Sequence, residues 1–318
     1  MNILVVGLGA LGIAFATLLK KSGHRVCGLT KAKYLSSFGD KKVRLSGIWG
    51  EHGAVLDGVY SDIQPLMHNK PDLIILTVKS FDTEETVQAI APLVEERTLV
   101  MAAQNGYGNY ETLARIVGKE HALLARVIFG AKLLGVGSSE VTGIADAVRL
   151  GQPDGAVPEA ICVKIAQAIN AAGIPTAHAP DVYGILWDKI LYNCALNPLG
   201  ALLECNYGSL ADDAGVRQVM NAMIKEIFDV AKAHGITLRW RSAGDYIHYF
   251  YEKLLPPTRQ HFPSTYHDLK AGKKLEIDAL TGAIVRLGKE NGVPTPVNET
   301  VTNLIKAKER FLLRSMAS

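Results

Sequence analysis

Asn2-Ile3-Leu4-Val5-Val6-Gly7-Leu8-Gly9-Ala10-Leu11-Gly12-Ile13 decides how the first half of the chain is read. The apolar run Ile3–Val6 suits a strand buried on both faces. It leads into G-x-G-x-x-G, and a helical pattern follows from Ala10 to Lys20, closed by Ser22-Gly23. A lone G-x-G-x-x-G is a weak signal, but between a strand and a helix each glycine has a reason. Gly7 allows a tight turn, Gly9 lets backbone approach a pyrophosphate, and Gly12 lets helix pack closely on strand. Gly7, Leu8, Gly9, Ala10, Leu11 and Gly12 then form an anion cradle whose first-turn N–H groups face the phosphates. The alternative is a glycine-rich turn with no ligand.

Working outward, His24–Leu29, Leu73–Val78 and Thr98–Ala102 read as further strands, with helical segments at Glu84–Val94 and Glu111–Val117. This alternation predicts an α/β fold with a parallel sheet and helices on both faces. Ala122–Leu150 is rich in Gly and Val and is expected to add strands to the same sheet. After Gly173-Ile174-Pro175 the strand signals stop. Ala214–His234 carries apolar residues three and four apart, with Gly235 as C-cap, and Leu275–Glu290 is helical up to Asn291-Gly292. The boundary is placed near 178, giving a dinucleotide-binding domain at 1–178 and a helical domain at 179–318.

With 318 residues, 48% hydrophobic and 20% charged, the chain has globular composition and room for two cores. A net charge of +3 is too small to imply nucleic acid or a membrane surface as partner. No uninterrupted apolar run approaches the ~18 residues of a membrane span. Cys27, Cys162, Cys194 and Cys205 are dispersed without a CxxC pair, which points to a reduced, cytoplasmic protein. The N-terminus lacks a basic region, so no signal peptide is expected. No metal site is expected: His261 and His267 lack H-E-x-x-H spacing, and His248, in an aromatic-rich helix, reads as packed.

The end of the second strand chooses the cofactor. NAD binders usually place an acid there for the ribose 2′-hydroxyl. Here the sequence is Leu29-Thr30-Lys31-Ala32-Lys33, with no acid until Asp40, so NADP is favoured. The alternative is that both lysines are simply solvated. Lys79 and Asn105 follow two other strands, at the end of the sheet where α/β proteins bind ligands, although Asn105-Gly106 is equally a turn signal.

In the second half, Ile185–Asn197 is too apolar for a surface helix, yet Lys189, Asn193 and Asn197 recur every fourth residue. An ammonium and two amides aligned on a greasy helix suggest the wall of a binding site. In the alternative, Lys189 snorkels to water and the amides cap backbone. Pro198 should kink or end this helix. Glu276 falls on the apolar face of its predicted helix and needs a cation or donor, for which Lys189 is a candidate, while Asp278 should face solvent or a basic group.

Together these features resemble the ketopantoate reductase (2-dehydropantoate 2-reductase) family through almost the whole chain. The shared stretches are Gly7–Gly12, Thr77-Val78-Lys79-Ser80, Gln104-Asn105-Gly106, Leu186-Trp187-Asp188-Lys189 through Asn193 to Asn197-Pro198-Leu199, Glu276-Ile277-Asp278 and Gly292-Val293-Pro294-Thr295-Pro296. The W-x-K-x3-N-x3-N-P element followed by E-I-D is the specific part. The resemblance implies an N-terminal Rossmann-type domain, an all-helical C-terminal domain, and NADPH-dependent reduction of 2-dehydropantoate to pantoate. By position it makes Lys189 the general acid and gives Glu276 the substrate hydroxyl. Asn193, Asn197 and Ser264 would bind substrate, with Ser264 near its carboxylate. Asn105 would bridge cofactor and substrate, Lys79 would lie near the nicotinamide ribose, and Lys31 would take the 2′-phosphate position. The partner is then a small 2-oxo acid, with a homodimer left open as the assembly. Ser264 and Glu276 would lie ~18 Å apart on one straight helix, so a chain break is expected at Ala271-Gly272.

Overall fold

The structure is a computed structural model and describes residues 1–317. Its contacts divide the chain into two compact units, Met1–Tyr183 and Gly184–Ser318.

Unit one runs β1 (Asn2–Val6), α1 (Ala10–Lys21), β2 (Arg25–Leu29), α2 (Ala32–Leu35), β3 (Lys42–Gly47), β4 (His52–Val55), β5 (Gly58–Tyr60), β6 (Leu73–Leu76), α3 (Thr83–Ile90), β7 (Leu99–Ala102), α4 (Asn109–Val117), β8 (Ala122–Arg126), β9 (Phe129–Gly135), β10 (Ser138–Ile144), β11 (Val148–Gly151), α5 (Glu159–Ala171) and β12 (Thr176–His178). The main sheet has the order β5-β2-β1-β6-β7-β8-β11-β12. From β5 to β8 every pairing is parallel. Counted along the chain, those six strands stand in the order 3-2-1-4-5-6 of a Rossmann-type sheet, with its switch point between β1 and β6. One face carries Ile3, Val5, Leu73, Ile75, Met101 and Leu123, in a core with Phe15 of α1 and Ile165 and Ile169 of α5. The alternate residues Leu4, Val6, Ile74, Leu76 and Val100 are buried too, which is why these strands read as unbroken apolar runs.

Three expectations need correction. Only β8 and β11 of the Ala122–Leu150 stretch join the main sheet. β9 and β10 instead build a four-stranded sheet, β4-β3-β10-β9, in which β10 runs parallel to β3 from almost a hundred residues earlier. Val43, Leu45, Phe129 and Val141 of this sheet share the core of α1, and the Phe15 and Phe129 rings lie 6.1 Å apart. Such a partnership leaves no local mark in the sequence. Strands also do not stop at Pro175, since Thr176–His178 adds an edge strand beside β11. The Glu84–Val94 helix ends as α3 at Ile90, and Pro92 sits in a 3-10 turn, Ala91–Leu93.

Unit two is helical among its described residues. It follows α6 (Val182–Leu203), which begins two residues before the division, with α7 (Tyr207–Asp212), α8 (Ala214–Ala233), α9 (Ala243–Tyr249), α10 (Ser264–Lys270), α11 (Thr281–Glu290) and α12 (Pro296–Ala317). The α8 periodicity is realised: Met220, Met223, Ile227 and Val230 are fully buried, and the Asp213 side chain accepts from Val216 N–H at 2.8 Å as N-cap. The packing expected of His248 is not found. Tyr246 and Phe250 take the core-facing positions, whereas His248 is 73% exposed and its Nε2 lies 3.3 Å from Glu252. Two residues round a helix is ~200°, so His248 points the other way. Among the described residues no helix is long and apolar enough to cross a membrane.

Candidate functional site

In unit one the turn between β1 and α1 shows steric reasons for two of its three glycines. Gly7 has φ +95°, where a side chain is strained, and a Cβ there would stand 2.9 Å from the backbone nitrogen of Val78. A Cβ on Gly12 would strike the Gly7 carbonyl oxygen and stand 2.7 Å from Thr77 Oγ1. A Cβ on Gly9 would meet nothing within 4 Å. Two glycines are therefore required by packing, while the third faces open space that a bound group can fill. Ile13 N–H donates to Gly9 C=O at 2.9 Å, leaving the N–H groups of Ala10, Leu11 and Gly12 at the open helix end. No acid lies in that first turn to compete with an anion. This donor set suits the pyrophosphate of a dinucleotide.

Thr77, just past β6, locks the turn and was not singled out from the sequence. Its hydroxyl lies within hydrogen-bond reach of the carbonyl oxygens of Val6 (3.0 Å) and Gly7 (2.6 Å) across the switch point. Only its neighbourhood to Lys79 hinted at this role. Lys79 is half-buried and precedes a 3-10 turn, Ser80–Asp82, at the carboxyl end of β6. Asn105 is exposed after β7, and its carbonyl accepts from Asn109 Nδ2 at 2.9 Å. A buried relay stands behind that loop: Gln104 Nε2 donates to Thr83 Oγ1 (2.9 Å), which donates to Asn109 Oδ1 (2.7 Å). Lys31 caps β2 as expected, but its ammonium is engaged, 2.8 Å from Asp82 Oδ2.

At the same end of β8 lies Arg126, only 6% exposed, with Nη2 2.6 Å from Asp146 Oδ2. Arg149 also binds Asp146, at 2.8 Å. Hydrogen bonds from Arg149, against partial burial and together with Arg126, hold the Asp146 carboxyl well below the usual carboxylate range.

In unit two α6 presents Ile185, Asp188, Lys189, Tyr192 and Asn193 as a half-buried stripe between fully buried rows. Their spacing of three and four residues is that of one helix face. Asp188 accepts from Trp240 Nε1 (2.9 Å) and from Arg239 Nη1 (3.0 Å), which fixes the turn beside Lys189. Tyr192 Oη lies 2.5 Å from Thr258 Oγ1, and burial pushes its phenol up to about 12, so it stays protonated near neutrality. Asn197 is 5% exposed, and its Oδ1 accepts from Tyr207 Oη at 2.7 Å.

Pro198 does not end α6, which runs on to Leu203. The missing Pro198 N–H removes one bond near the helix end. Lys308 Nζ supports the last turn by donating to the carbonyls of Ala201 (3.0 Å) and Leu202 (2.8 Å).

Ser264 and Glu276 are both brought to this helix. A Cβ on Gly200 would stand 2.9 Å from Pro263, so the segment entering α10, with exposed Ser264 as its first residue, lies hard against α6. The predicted break is found: α10 ends at Lys270, and Gly272 turns the chain at φ +61°. Glu276 is not inside a continuous helix, as the Leu275–Glu290 reading had it. It precedes a 3-10 turn, Ile277–Ala279, and α11 begins only at Thr281. The apolar residues on either side of it explain this, because Leu275 and Ile277 both pack with Ala201 of α6, Leu269 of α10 and Ile305 of α12. Glu276 itself is half-buried. Asp278 is exposed and pairs with Lys306, as expected.

Residues 3–155 match the family described as ketopantoate reductase PanE/ApbA, and residues 181–309 match its C-terminal domain, ketopantoate reductase PanE/ApbA C terminal. The chain belongs to the ketopantoate reductase family. Within that family it is 44% identical to a 2-dehydropantoate 2-reductase of Aquifex aeolicus over 314 residues, 99% of each chain. Among solved structures, a PanE/ApbA family ketopantoate reductase from Ralstonia eutropha superposes with TM-score 0.85 at 28% identity, covering 98% of this chain and 99% of the other. A D-mandelate dehydrogenase solved with NADH and anilino(oxo)acetate gives TM-score 0.86, also at 28% identity, with coverage of 98% and 99%. Ketopantoate reductases thus share this chain's full length and both of its units.

Proposed function

We propose that this chain is an NADPH-dependent 2-dehydropantoate 2-reductase of pantothenate biosynthesis, acting in the cytoplasm on a small 2-oxo acid. The 44% identity to the Aquifex aeolicus enzyme over 99% of both chains carries the reading. Four reduced cysteines without a disulfide among the described residues are compatible with a cytoplasmic setting.

Bound NADPH supplies the hydride for the ketone carbon. In unit one the N–H groups behind Gly9 hold the pyrophosphate, and Gly7, Leu8, Ala10, Leu11 and Gly12 shape that turn. Lys31 meets the 2′-phosphate, Lys79 the nicotinamide ribose, and Asn105 orients cofactor and substrate. In unit two Lys189 stabilises the alkoxide as charge builds on the ketone oxygen and then gives it a proton. Asn193 and Asn197 donate amide hydrogens to the substrate, Glu276 accepts from its hydroxyl, and Ser264 donates to its carboxylate. Tyr207 Oη donates to the Asn197 carbonyl oxygen and so holds that side chain by its acceptor end.

The test is oxidation of NADPH on addition of 2-dehydropantoate. Turnover on 2-dehydropantoate well above that on other 2-oxo acids is expected. Preference for an aromatic 2-oxo acid would favour the second reading, a reductase of another small 2-oxo acid, which the fold match to D-mandelate dehydrogenase supports. NADPH binding without turnover of any 2-oxo acid would reduce the chain to a dinucleotide sensor.

A further inference from the structure

The cations at the end of β2 are both engaged. Lys33 Nζ lies over the neighbouring Tyr34 ring, 5.0 Å from its centroid. Lys31 Nζ lies 2.8 Å from Asp82 Oδ2, reached from the turn after β6 on the other side of the switch point. The Lys31 side chain is 61% exposed and that of Asp82 only 23%, so the acid is the more enclosed member of the pair and the ammonium has solvent around it. The pair carries no net charge where a 2′-phosphate of about two negative charges would seek a cation. A carboxylate is, however, the group that NAD-binding sheets of this order use to accept from the ribose 2′-hydroxyl, normally from the end of β2. Here that acid is missing from β2, and Asp82 stands beside the vacant position.

We propose that Asp82 is a specificity-determining residue for the dinucleotide. It supplies from the turn after β6 the ribose acceptor that β2 lacks, and it neutralises Lys31, so that this chain binds NADH as well as NADPH. When NADPH binds, Lys31 swings from Asp82 to the phosphate. When NADH binds, Lys31 stays on Asp82, and the second lone pairs of that carboxylate accept the ribose hydroxyl. This rests on the dinucleotide-binding reading above and adds to it which of two cofactors is admitted.

The experiment is equilibrium titration of the full-length protein with NADPH and with NADH, followed by nicotinamide fluorescence in the absence of any 2-oxo acid. Wild type is expected to bind the two within about tenfold of each other. Asp82→Asn removes the charge but keeps a side chain suited to the N-cap of α3. It should raise the NADPH-to-NADH affinity ratio about tenfold, the weight of one charge-assisted hydrogen bond. Lys31→Met breaks the same pair from the other side and should lower the ratio by a similar factor. A ratio in Asp82→Asn within twofold of wild type overturns the proposal. So does a shift of both variants in the same direction, which would mark a merely structural effect. Wild type binding neither dinucleotide would instead overturn the dinucleotide-binding reading itself, and a wild-type preference for NADPH above a hundredfold would sink only the dual admission.

Discussion

The glycine turn of unit one and the α6 stripe of unit two are built by opposite means. The turn has almost no side chains: Gly7 and Gly12 are kept bare because Val78, Thr77 and the turn's own backbone fill the space where a Cβ would go, and the donors are peptide N–H groups. The stripe is all side chain. Lys189 and Asn193 lie half-buried along one face of α6, Asn197 sits buried one turn further on, and neighbours such as Tyr207 and the Asp188–Trp240 pair hold that face in place. A site made of backbone is sensitive to one added methyl group and indifferent to side-chain chemistry. A site made of side chains on a helix is the reverse.

The largest effect should come from the side-chain half. Lys189→Ala is expected to lower kcat by about 10²–10⁴, the range for losing a general acid, with NADPH affinity unchanged in a fluorescence titration. Retention of a tenth or more of the wild-type turnover would remove Lys189 from the mechanism. The backbone half is probed by a pair of identical changes. Gly9→Ala should leave the melting temperature untouched, because its Cβ enters open space, yet weaken NADPH binding at least tenfold. Gly12→Ala should destabilise the fold by roughly 1–3 kcal/mol through overpacking. If the two variants show the same balance of stability and affinity losses, the distinction between packing glycine and ligand glycine is wrong.

Asp146 tests whether unit one also relies on side chains. Asp146→Asn leaves Arg126 buried without its counter-charge and should cost about 1–2 kcal/mol at pH 7, a figure held down by solvent around the partly exposed carboxylate. Because the folded-state carboxyl titrates below its ordinary value, its contribution is complete above that ordinary value, ~4, and fades as the pH falls toward the depressed one. Urea titrations of wild type and variant should therefore converge in acid and separate at neutrality. The smallest effect is expected from Tyr207→Phe, which removes the donor to Asn197 and should cost about 1 kcal/mol, with KM for the 2-oxo acid rising several-fold while kcat changes less. An unchanged KM would mean that Asn197 is oriented by other contacts.

Much of this was legible because it is local. The strand-turn-helix of residues 2–21, the buried runs at 73–76 and 99–102, and the amphipathic α8 are periodic signals over short windows, and each formed where its pattern placed it to within a few residues. The chain break at Gly272 followed from helix length, because Ser264 and Glu276, twelve residues apart, could serve one site only if the helix between them stopped. The second sheet was not, because β3 and β10 are ordinary alternating strands whose partnership is a long-range choice. Nor was the 3-10 turn after Glu276, since the sequence reads as one helix from Leu275 to Glu290, whereas Leu275 and Ile277 are buried together in the cluster with Ala201, Leu269 and Ile305 and α11 begins only at Thr281.

From the sequence alone came the identities that chemistry demands: bare glycines where backbone must approach, an ammonium and two amides four residues apart, and no acid at the end of β2. Tertiary structure decided what those groups touch. It put Thr77 on the glycine turn, Tyr207 on Asn197 and Asp82 on Lys31, pairings across 70, 10 and 51 residues. Spacing along a helix or strand is set by the periodicity of the backbone and can be counted in a sequence. Which distant side chain satisfies a buried polar group depends on where the folded chain returns, and no local pattern encodes that.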